Sequence, residues 1–146
     1  MTILWTTRPA RTDDAAIIAR HRYLDAGAKE DLVAYERWVA TRIERGMYTG
    51  ILAAQDGGVI AGAGAVILDW GPTRGDPTGL RARIVNVYTD PAWRRQGVAL
   101  SLVREVMRRC QKRDVQVFTL AATDDSAALY RSIGFVPYAT EMILRP

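Results

Sequence analysis

The sequence is poor in the residues that build disulfides and metal sites. It contains one cysteine, Cys110, and one histidine, His21. A single cysteine cannot form an internal disulfide, so we expect a cytoplasmic protein. One histidine and one cysteine do not supply the usual ligands of a zinc ion, so we predict no metal.

Long apolar runs and several well-known motifs are also missing. No run approaches the roughly eighteen apolar residues of a membrane span, and the first residues do not resemble a signal peptide. The chain has neither a Gly-x-x-x-x-Gly-Lys-Ser/Thr loop nor a Gly-x-Ser-x-Gly elbow. Gly62-Ala-Gly64 lies in a predicted strand and lacks the third glycine of a dinucleotide-binding motif. We therefore expect no membrane partner and no chemistry of these classes.

Composition is typical of a globular protein, but its charge is unevenly placed. Hydrophobic residues make up 49% and charged residues 25% of the 146 residues, which suits a single domain over 1–146. The formal net charge is +4. Residues 94–113 hold seven basic side chains against one acidic side chain, Glu105. Such a segment suits an anionic cofactor or nucleic acid, although most of it also fits a solvated helix face.

Apolar periodicity and turn residues predict the element order β-α-α-β-β-β-α-β-α-β. Asp56-Gly57 between two apolar runs predicts a β-hairpin. The predicted helices cover 12–26, 30–45, 97–112 and 123–132, and the predicted strands cover 3–7, 51–54, 59–68, 83–88, 115–120 and 138–144.

Residues 86–99 predict an anion-binding site. An apolar, strand-like run is closed by Asp90-Pro91, and two arginines then precede Gly97 and an amphipathic helix. The first N–H groups of a helix have no partner within it, and a glycine lets a ligand approach the backbone. The neighbouring Arg94 and Arg95 add positive charge, so a diphosphate would fit.

The helix after Gly97 also predicts its own buried face. Its apolar residues follow one helical stripe, which we interpret as core. Cys110 belongs to this stripe and is interpreted as packing, not as a nucleophile. Trp93 and His21 are likewise interpreted as packing residues, although Trp93 could stack on a nucleotide and His21 could act as a general base. The stripe comprises Val98, Ala99, Leu102, Val103, Val106, Met107 and Cys110.

Two motifs resemble the GNAT superfamily, the Gcn5-related N-acetyltransferases. Arg94-Arg-Gln-Gly-Val-Ala99 is similar to its (Gln/Arg)-x-x-Gly-x-(Gly/Ala) signature, and Leu129-Tyr-Arg-Ser-Ile-Gly-Phe135 is similar to its second marker. The resemblance implies an α/β (α+β) acyl-CoA N-acyltransferase fold. Such a fold has a mixed central sheet of about six to seven strands and about four helices. It also implies an N-acetyltransferase that uses acetyl-CoA as co-substrate.

The resemblance further implies roles for individual residues. Tyr130 matches the tyrosine that often protonates the departing thiolate, although it could instead only pack beside the sulfur. Thr123 stands where the family often has an asparagine that contacts pantetheine, so this contact is in doubt. The implied cofactor-binding residues are Val87, Tyr88, Thr89, Arg94, Arg95, Gln96, Gly97, Val98, Ala99, Thr123 and Ser126.

The general base and the acceptor stay open. Asn86 occupies the strand where the family often has a glutamate, and it cannot act as a base. Asp90, Glu30, Glu36 or a water chain remain candidates. The acceptor is expected to be a small-molecule amine or a protein N-terminus or lysine, and a homodimer is an open alternative. The other readings are a catalytically silent CoA-binding module and, with least support, a nucleic-acid-binding domain.

Overall fold

The computed structural model describes residues 4–23, 32–138 and 140–146, and it shows helices packed on both faces of a five-stranded sheet. Short 3₁₀ helices at Thr12–Asp14 and Pro91–Trp93 precede α1 and α3 respectively. The strands are β1 (Thr6–Pro9), β2 (Tyr48–Gln55), β3 (Gly58–Asp69), β4 (Leu80–Thr89) and β5 (Val117–Thr119), and the helices are α1 (Ala15–Tyr23), α2 (Leu32–Glu44), α3 (Val98–Gln111) and α4 (Asp124–Ser132).

The sheet keeps the strands in chain order, β1-β2-β3-β4-β5. The first four are antiparallel neighbours, and β5 pairs parallel to β4 after the crossover through α3. The predicted hairpin is confirmed between β2 and β3. Its central residues Asp56 and Gly57 have φ values of 49° and 81°, the positive values that tight hairpin turns require.

The two faces of the sheet carry different cores. One core is formed with α3 and α4 and contains Tyr130, and the other is formed with α1 and α2 and contains Tyr48. The predicted α3 stripe is confirmed for the five residues that are fully buried. Cys110 is among them, and burial raises the pKa of its thiol to about 11, which makes it an inert packing residue. The buried α3 residues are Val98, Leu102, Val103, Val106 and Cys110.

The predicted C-terminal strand over 138–144 is wrong, and the sheet formed by the described residues has five strands, not the six to seven expected. Residues 140–146 carry no regular structure and are exposed, and Met142 is 99% accessible. An apolar, β-favouring segment becomes a strand only when a partner edge supplies its hydrogen bonds. The segment has the residue pattern of a strand, but a pattern cannot reveal whether such an edge is within reach.

Other predicted boundaries shift or lie outside the described residues. The first strand occupies Thr6–Pro9 and not 3–7. It is tied to the first helical turn by Arg8, whose guanidinium donates two hydrogen bonds of 2.7 Å to Asp14. The predicted end of α1 and start of α2 fall within 24–31, outside the described residues. Within the described ranges, no helix has the length and apolarity needed to cross a membrane.

Candidate functional site

A cleft opens where β4 and β5 separate. Their pairing runs from Arg81↔Val117 to Arg83↔Thr119, whereas β4 continues to Thr89. A parallel pair that stops midway leaves a wedge-shaped gap between the strands. The N-terminus of α3 and the first turns of α4 border this gap, so backbone groups and side chains from four elements face one space.

The resulting pocket has a volume of about 870 Å³. This lies towards the upper end of roughly 300–1,000 Å³ for small-molecule sites. Along β4, the distance from Arg83 to Thr89 is roughly 20 Å at 3.3 Å per residue, so the pocket is long. We call one end of it the α3 end, lined by Val87, Tyr88, Thr89, Arg94, Arg95, Gly97, Val98 and Ala99. We call the other the bulge end, lined by His21, Arg22, Tyr23, Arg83, Val85 and Asn86.

Gly97 gives the α3 end its open backbone. It has φ 81° and immediately precedes α3, and a Cβ built on it would meet no atom within 4 Å. The first bond of the helix joins Ser101 N to Gly97 O, so the N–H groups before Ser101 have no helical acceptor. Two features explain why this position is glycine: its φ is positive, and without a Cβ its backbone stays open to a ligand.

The side chains next to Gly97 have different roles. Arg94 donates from Nε to Thr89 O at 2.9 Å, and its guanidinium lies 5.9 Å from the centre of the Tyr88 ring. It therefore braces the loop against β4. Gln96 donates to Ala92 O at 3.4 Å, within the loop itself. Arg95 is exposed and lines the pocket, so its charge is available to an anion there.

Tyr130 lies in the wall of the same pocket, on α4. It is buried, and its ring packs edge-on against Phe135 at a centroid distance of 5.9 Å. Burial raises the pKa of its phenol, so the hydroxyl is protonated at neutral pH. Thr123 and Ser126 also line the pocket, and they cap α4 through reciprocal bonds between side chain and backbone.

A β-bulge in β4 separates the two ends of the pocket. Gly64 pairs with Val85 and Gly62 pairs with Tyr88, so Asn86 and Val87 together face a single residue of β3. Asn86 has φ 57°, a left-handed conformation that asparagine tolerates better than most residues. A bulge leaves one residue outside the ladder and redirects its side chain, and this one lies in the pocket wall.

The Asn86 amide is held by two tyrosines. Its Nδ2 donates to Tyr35 Oη at 2.8 Å and to Tyr48 Oη at 3.0 Å. Its Oδ1 is buried without a partner among the described residues. Gly64 makes this arrangement possible, because a Cβ there would lie 2.0 Å from Tyr48 Oη. No local sequence pattern indicates this cluster, because its members come from α2, β2 and β4.

His21 contributes more than packing. It is 7% exposed, stacks on Tyr88 at a centroid distance of 4.8 Å and also lines the pocket. Burial lowers its pKa to about 4, so the imidazole is neutral at pH 7. Gly62 leaves room for the ring, since a Cβ there would lie 2.9 Å from His21 Nδ1. The spacing Gly62-Ala-Gly64 puts both glycines on one face of β3, which is the signal that could have revealed this site.

The structure supports none of the carboxylate bases strongly. Asp90 occupies the N-cap position of the 3₁₀ helix Pro91–Trp93 without a side-chain capping bond, and its charge acts on His21, but it does not line the pocket. Glu36 is absent from the pocket lining, and Glu30 lies outside the described residues. Asp125 is the one carboxylate among the described lining residues.

In the part of the chain that the structure describes, no three His, Cys, Asp or Glu residues gather as metal ligands would. The Trp93 ring packs edge-on against Trp5 with ring centres 6.4 Å apart, and Trp93 also lines the pocket.

Comparison with known families decides the classification. The sequence model described as the acetyltransferase (GNAT) family matches residues 12–135. The chain belongs to the GNAT family. As a GNAT protein it is an acyltransferase, and both predicted motifs fall inside the matched range. A search of curated proteins found no match.

Solved structures share the fold over almost the whole chain. A predicted acetyltransferase from Clostridium acetobutylicum, determined with acetyl-CoA, is 21% identical with a TM-score of 0.90, covering 97% of this chain and 96% of its own. A GCN5-related N-acetyltransferase from Ralstonia eutropha JMP134 is 28% identical with a TM-score of 0.84, covering 97% and 98%. Glucosamine-6-phosphate N-acetyltransferase from Arabidopsis thaliana is 14% identical with a TM-score of 0.75, covering 97% of each chain.

Proposed function

We propose that this GNAT protein transfers the acetyl group of acetyl-CoA directly to a primary amine in a ternary complex. The observation that carries the proposal is the pocket itself. Its lining includes the open N-terminus of α3, the β4 bulge and Tyr130 in one continuous space. We assign the N-terminus of α3 to the diphosphate, the bulge to the thioester, and Tyr130 to proton donation to the leaving group.

The pose of the cofactor follows from the α3 end. Backbone N–H groups from Gln96 to Ala99 bind the pyrophosphate, and Arg95 adds a charge-assisted contact. The pantetheine arm runs along β4 at Val87, Tyr88 and Thr89, where the strand has no β5 partner and its backbone can pair with an amide. Thr123 and Ser126 face the arm from the start of α4. The thioester then lies near the bulge.

The chemistry requires one bond to form and one to break. The amine nitrogen attacks the thioester carbonyl carbon, the C–S bond breaks, and CoA departs as a thiolate. A backbone N–H at the bulge stabilises the oxyanion that forms during attack. Tyr130, whose hydroxyl is protonated, gives its proton to the thiolate. Holding amine and thioester in contact supplies much of the remaining rate.

The proposal also covers the location of the protein and the chemical class of its acceptor. We propose that residues 1–146 act as one cytoplasmic domain whose acceptor is a small-molecule amine or a protein N-terminus or lysine. The relative from Arabidopsis thaliana is named for an amine that carries a phosphate, which supports a small-molecule acceptor.

The test is release of free CoA thiol from acetyl-CoA across an amine panel, with the acetylated product identified by mass spectrometry. We expect turnover with at least one amine. Tyr130→Phe should lower kcat about tenfold or more, without changing acetyl-CoA affinity, because it removes the proton donor alone. Tyr138→Phe, in the exposed C-terminal segment, is the matched control.

Each outcome has a defined meaning. Acetyl-CoA binding without turnover would favour the catalytically silent CoA-binding module. An unchanged kcat in Tyr130→Phe would leave direct transfer in place and remove the acid role from Tyr130.

We also propose that the protein forms a homodimer through its C-terminal segment. Val136, Met142, Ile143 and Leu144 are each more than 70% exposed, and exposed apolar clusters mark interaction surfaces. β5 is the last strand of the sheet, so its outer edge is open to a strand from a second copy. Light scattering should give twice the chain mass, and Met142→Lys with Leu144→Lys should give a monomer. A monomeric wild type would contradict the proposal.

A further inference from the structure

Two arginines line the bulge end of the pocket, and no carboxylate joins them there among the described lining residues. Arg22 closes α1 and Arg83 lies on β4 just before the bulge, and both guanidinium groups are exposed at the pocket wall. His21, which lines the same end, is neutral at pH 7, because burial lowers its pKa to about 4 although the Asp90 charge acts in the opposite direction. Asp125, the one carboxylate among the described lining residues, belongs to the first turn of α4 and not to the bulge end.

Contacts with neutral groups position the two arginines among the described residues. The Arg22 guanidinium lies over the Tyr35 ring, 4.6 Å from its centre, and Tyr35 also bonds Asn86. Arg83 makes a long bond of 3.4 Å from Nη1 to Thr119 Oγ1, at the last pair before β4 and β5 separate. Among the ion pairs that join described residues, none includes either arginine. Aromatic and hydroxyl contacts orient a guanidinium and leave its charge available.

We propose that the acceptor is an amine that carries an anionic group, a carboxylate or a phosphate, bound by Arg22 and Arg83. This inference rests on the proposed acetyl transfer, since it assigns the substrate class of the same site. With the cofactor entering from the α3 end, the acceptor approaches the thioester from the bulge end. There its anionic group pairs with one or both guanidinium groups, which bind carboxylate and phosphate oxygens in pairs.

The same charges assist the reaction. Nearby positive charge disfavours an ammonium ion, so an acceptor anchored beside two arginines loses its amine proton more readily. The neutral amine is the form that attacks the thioester. This explains how acetyl transfer proceeds although no carboxylate base lines the bulge end among the described residues. Water carries the released proton to solvent.

The test compares acceptors that differ only in charge. One set pairs O-phosphoethanolamine with ethanolamine and ethylenediamine, and another pairs each amino acid with its carboxamide. We expect kcat/KM to be about tenfold higher for the anionic member of a pair, since charge-assisted hydrogen bonds are stronger than neutral ones. The two sets distinguish phosphate from carboxylate recognition. The preference should weaken as salt is raised, because both arginines are exposed.

Variants assign the preference to the two arginines. Arg83→Gln and Arg22→Gln should each reduce the preference for anionic acceptors about tenfold and leave KM for acetyl-CoA unchanged. The matched controls are Arg81→Gln and Arg20→Gln, which alter exposed or part-exposed arginines on the same strand and helix but outside the pocket lining. Arg81 lies over Trp70 instead, 5.1 Å from the ring centre.

The possible results separate this inference from the proposed function. Preferred acetylation of neutral or cationic amines, or equal effects in the control variants, would overturn the inference and leave acetyl transfer intact. Absence of acetylation with every amine, despite acetyl-CoA binding, would contradict the proposed function and the inference with it.

Discussion

The α3 end and the bulge end of the pocket are built in different ways. At the α3 end, consecutive residues from Arg94 to Ala99 present backbone N–H groups. These groups do not depend on which side chains the residues carry, provided that Gly97 keeps its φ of 81°. At the bulge end, His21, Tyr35, Tyr48 and Asn86 come from four separate elements and depend on side-chain contacts. The backbone site at the α3 end suits a ligand that is common to the family. The side-chain site at the bulge end suits a ligand that is specific to one protein.

The largest expected effect tests the buried histidine of the bulge end. The pKa of His21 falls from 6.5 to about 4 on folding, so the unfolded chain binds protons more tightly. Its contribution to stability is present above pH 6.5 and is lost as the pH falls towards 4. We expect the free energy of unfolding to drop by up to about 3 kcal/mol in that window.

Denaturant titrations at pH 7, 5.5 and 4 measure this loss. His21→Asn removes the titrating ring, so its stability should change much less over the same range. An equal loss in the variant would assign the pH dependence to other groups and would remove the argument that His21 is neutral in the folded protein.

A smaller effect is expected when the space between β3 and the bulge is filled. Gly64→Ala places a methyl group where Tyr48 Oη lies, so Tyr48 must move away from Asn86. We expect a loss of about 2 kcal/mol in stability and a higher KM for the amine. Affinity for acetyl-CoA should not change, since the α3 end does not depend on this contact.

Gly58→Ala on the same strand is the control, because the nearest atom to its Cβ would be Gln55 O at 3.6 Å. Calorimetry of acetyl-CoA binding reports on the α3 end, and acceptor kinetics report on the bulge end. Both are measured on the two variants. A parallel loss of cofactor affinity in Gly64→Ala would show that the ends are coupled.

The smallest effect concerns a single exposed charge at the α3 end. Arg95→Gln should weaken acetyl-CoA binding about three- to tenfold at low salt, and less at high salt, because one exposed phosphate contact is screened. Arg104→Gln removes an exposed charge from α3 outside this pocket and should have little effect. Equal losses in both variants would point to the overall charge of the helix, as the nucleic-acid reading requires.

Local signals in the sequence explain what could be predicted. Asp56-Gly57 specifies a turn, and the α3 stripe specifies a buried face, because each depends on neighbouring residues alone. Motif spacing likewise anticipated that the loop from Arg94 to Ala99 and Tyr130 would belong together, and all but Gln96 of these line one pocket.

Contacts between distant residues explain what could not be predicted. The bulge at Asn86 arises from a register shift against β3, and the described part of 138–144 does not join the sheet although its composition suggests a strand. Both depend on where other strands lie. His21 was correctly predicted to pack, but only its position next to Tyr88 reveals that it also lines the site.

Calorimetric titration of acetyl-CoA tests the central claim most directly. Wild type should bind, and Gly97→Glu should lose binding, because a carboxylate would occupy the diphosphate position at the start of α3. Gly75→Glu introduces the same side chain at the same φ of 81°, in open space and outside the pocket lining, and should bind as wild type does. Failure of folded wild type to bind, or undiminished binding by Gly97→Glu, would contradict the assignment of this pocket to acetyl-CoA.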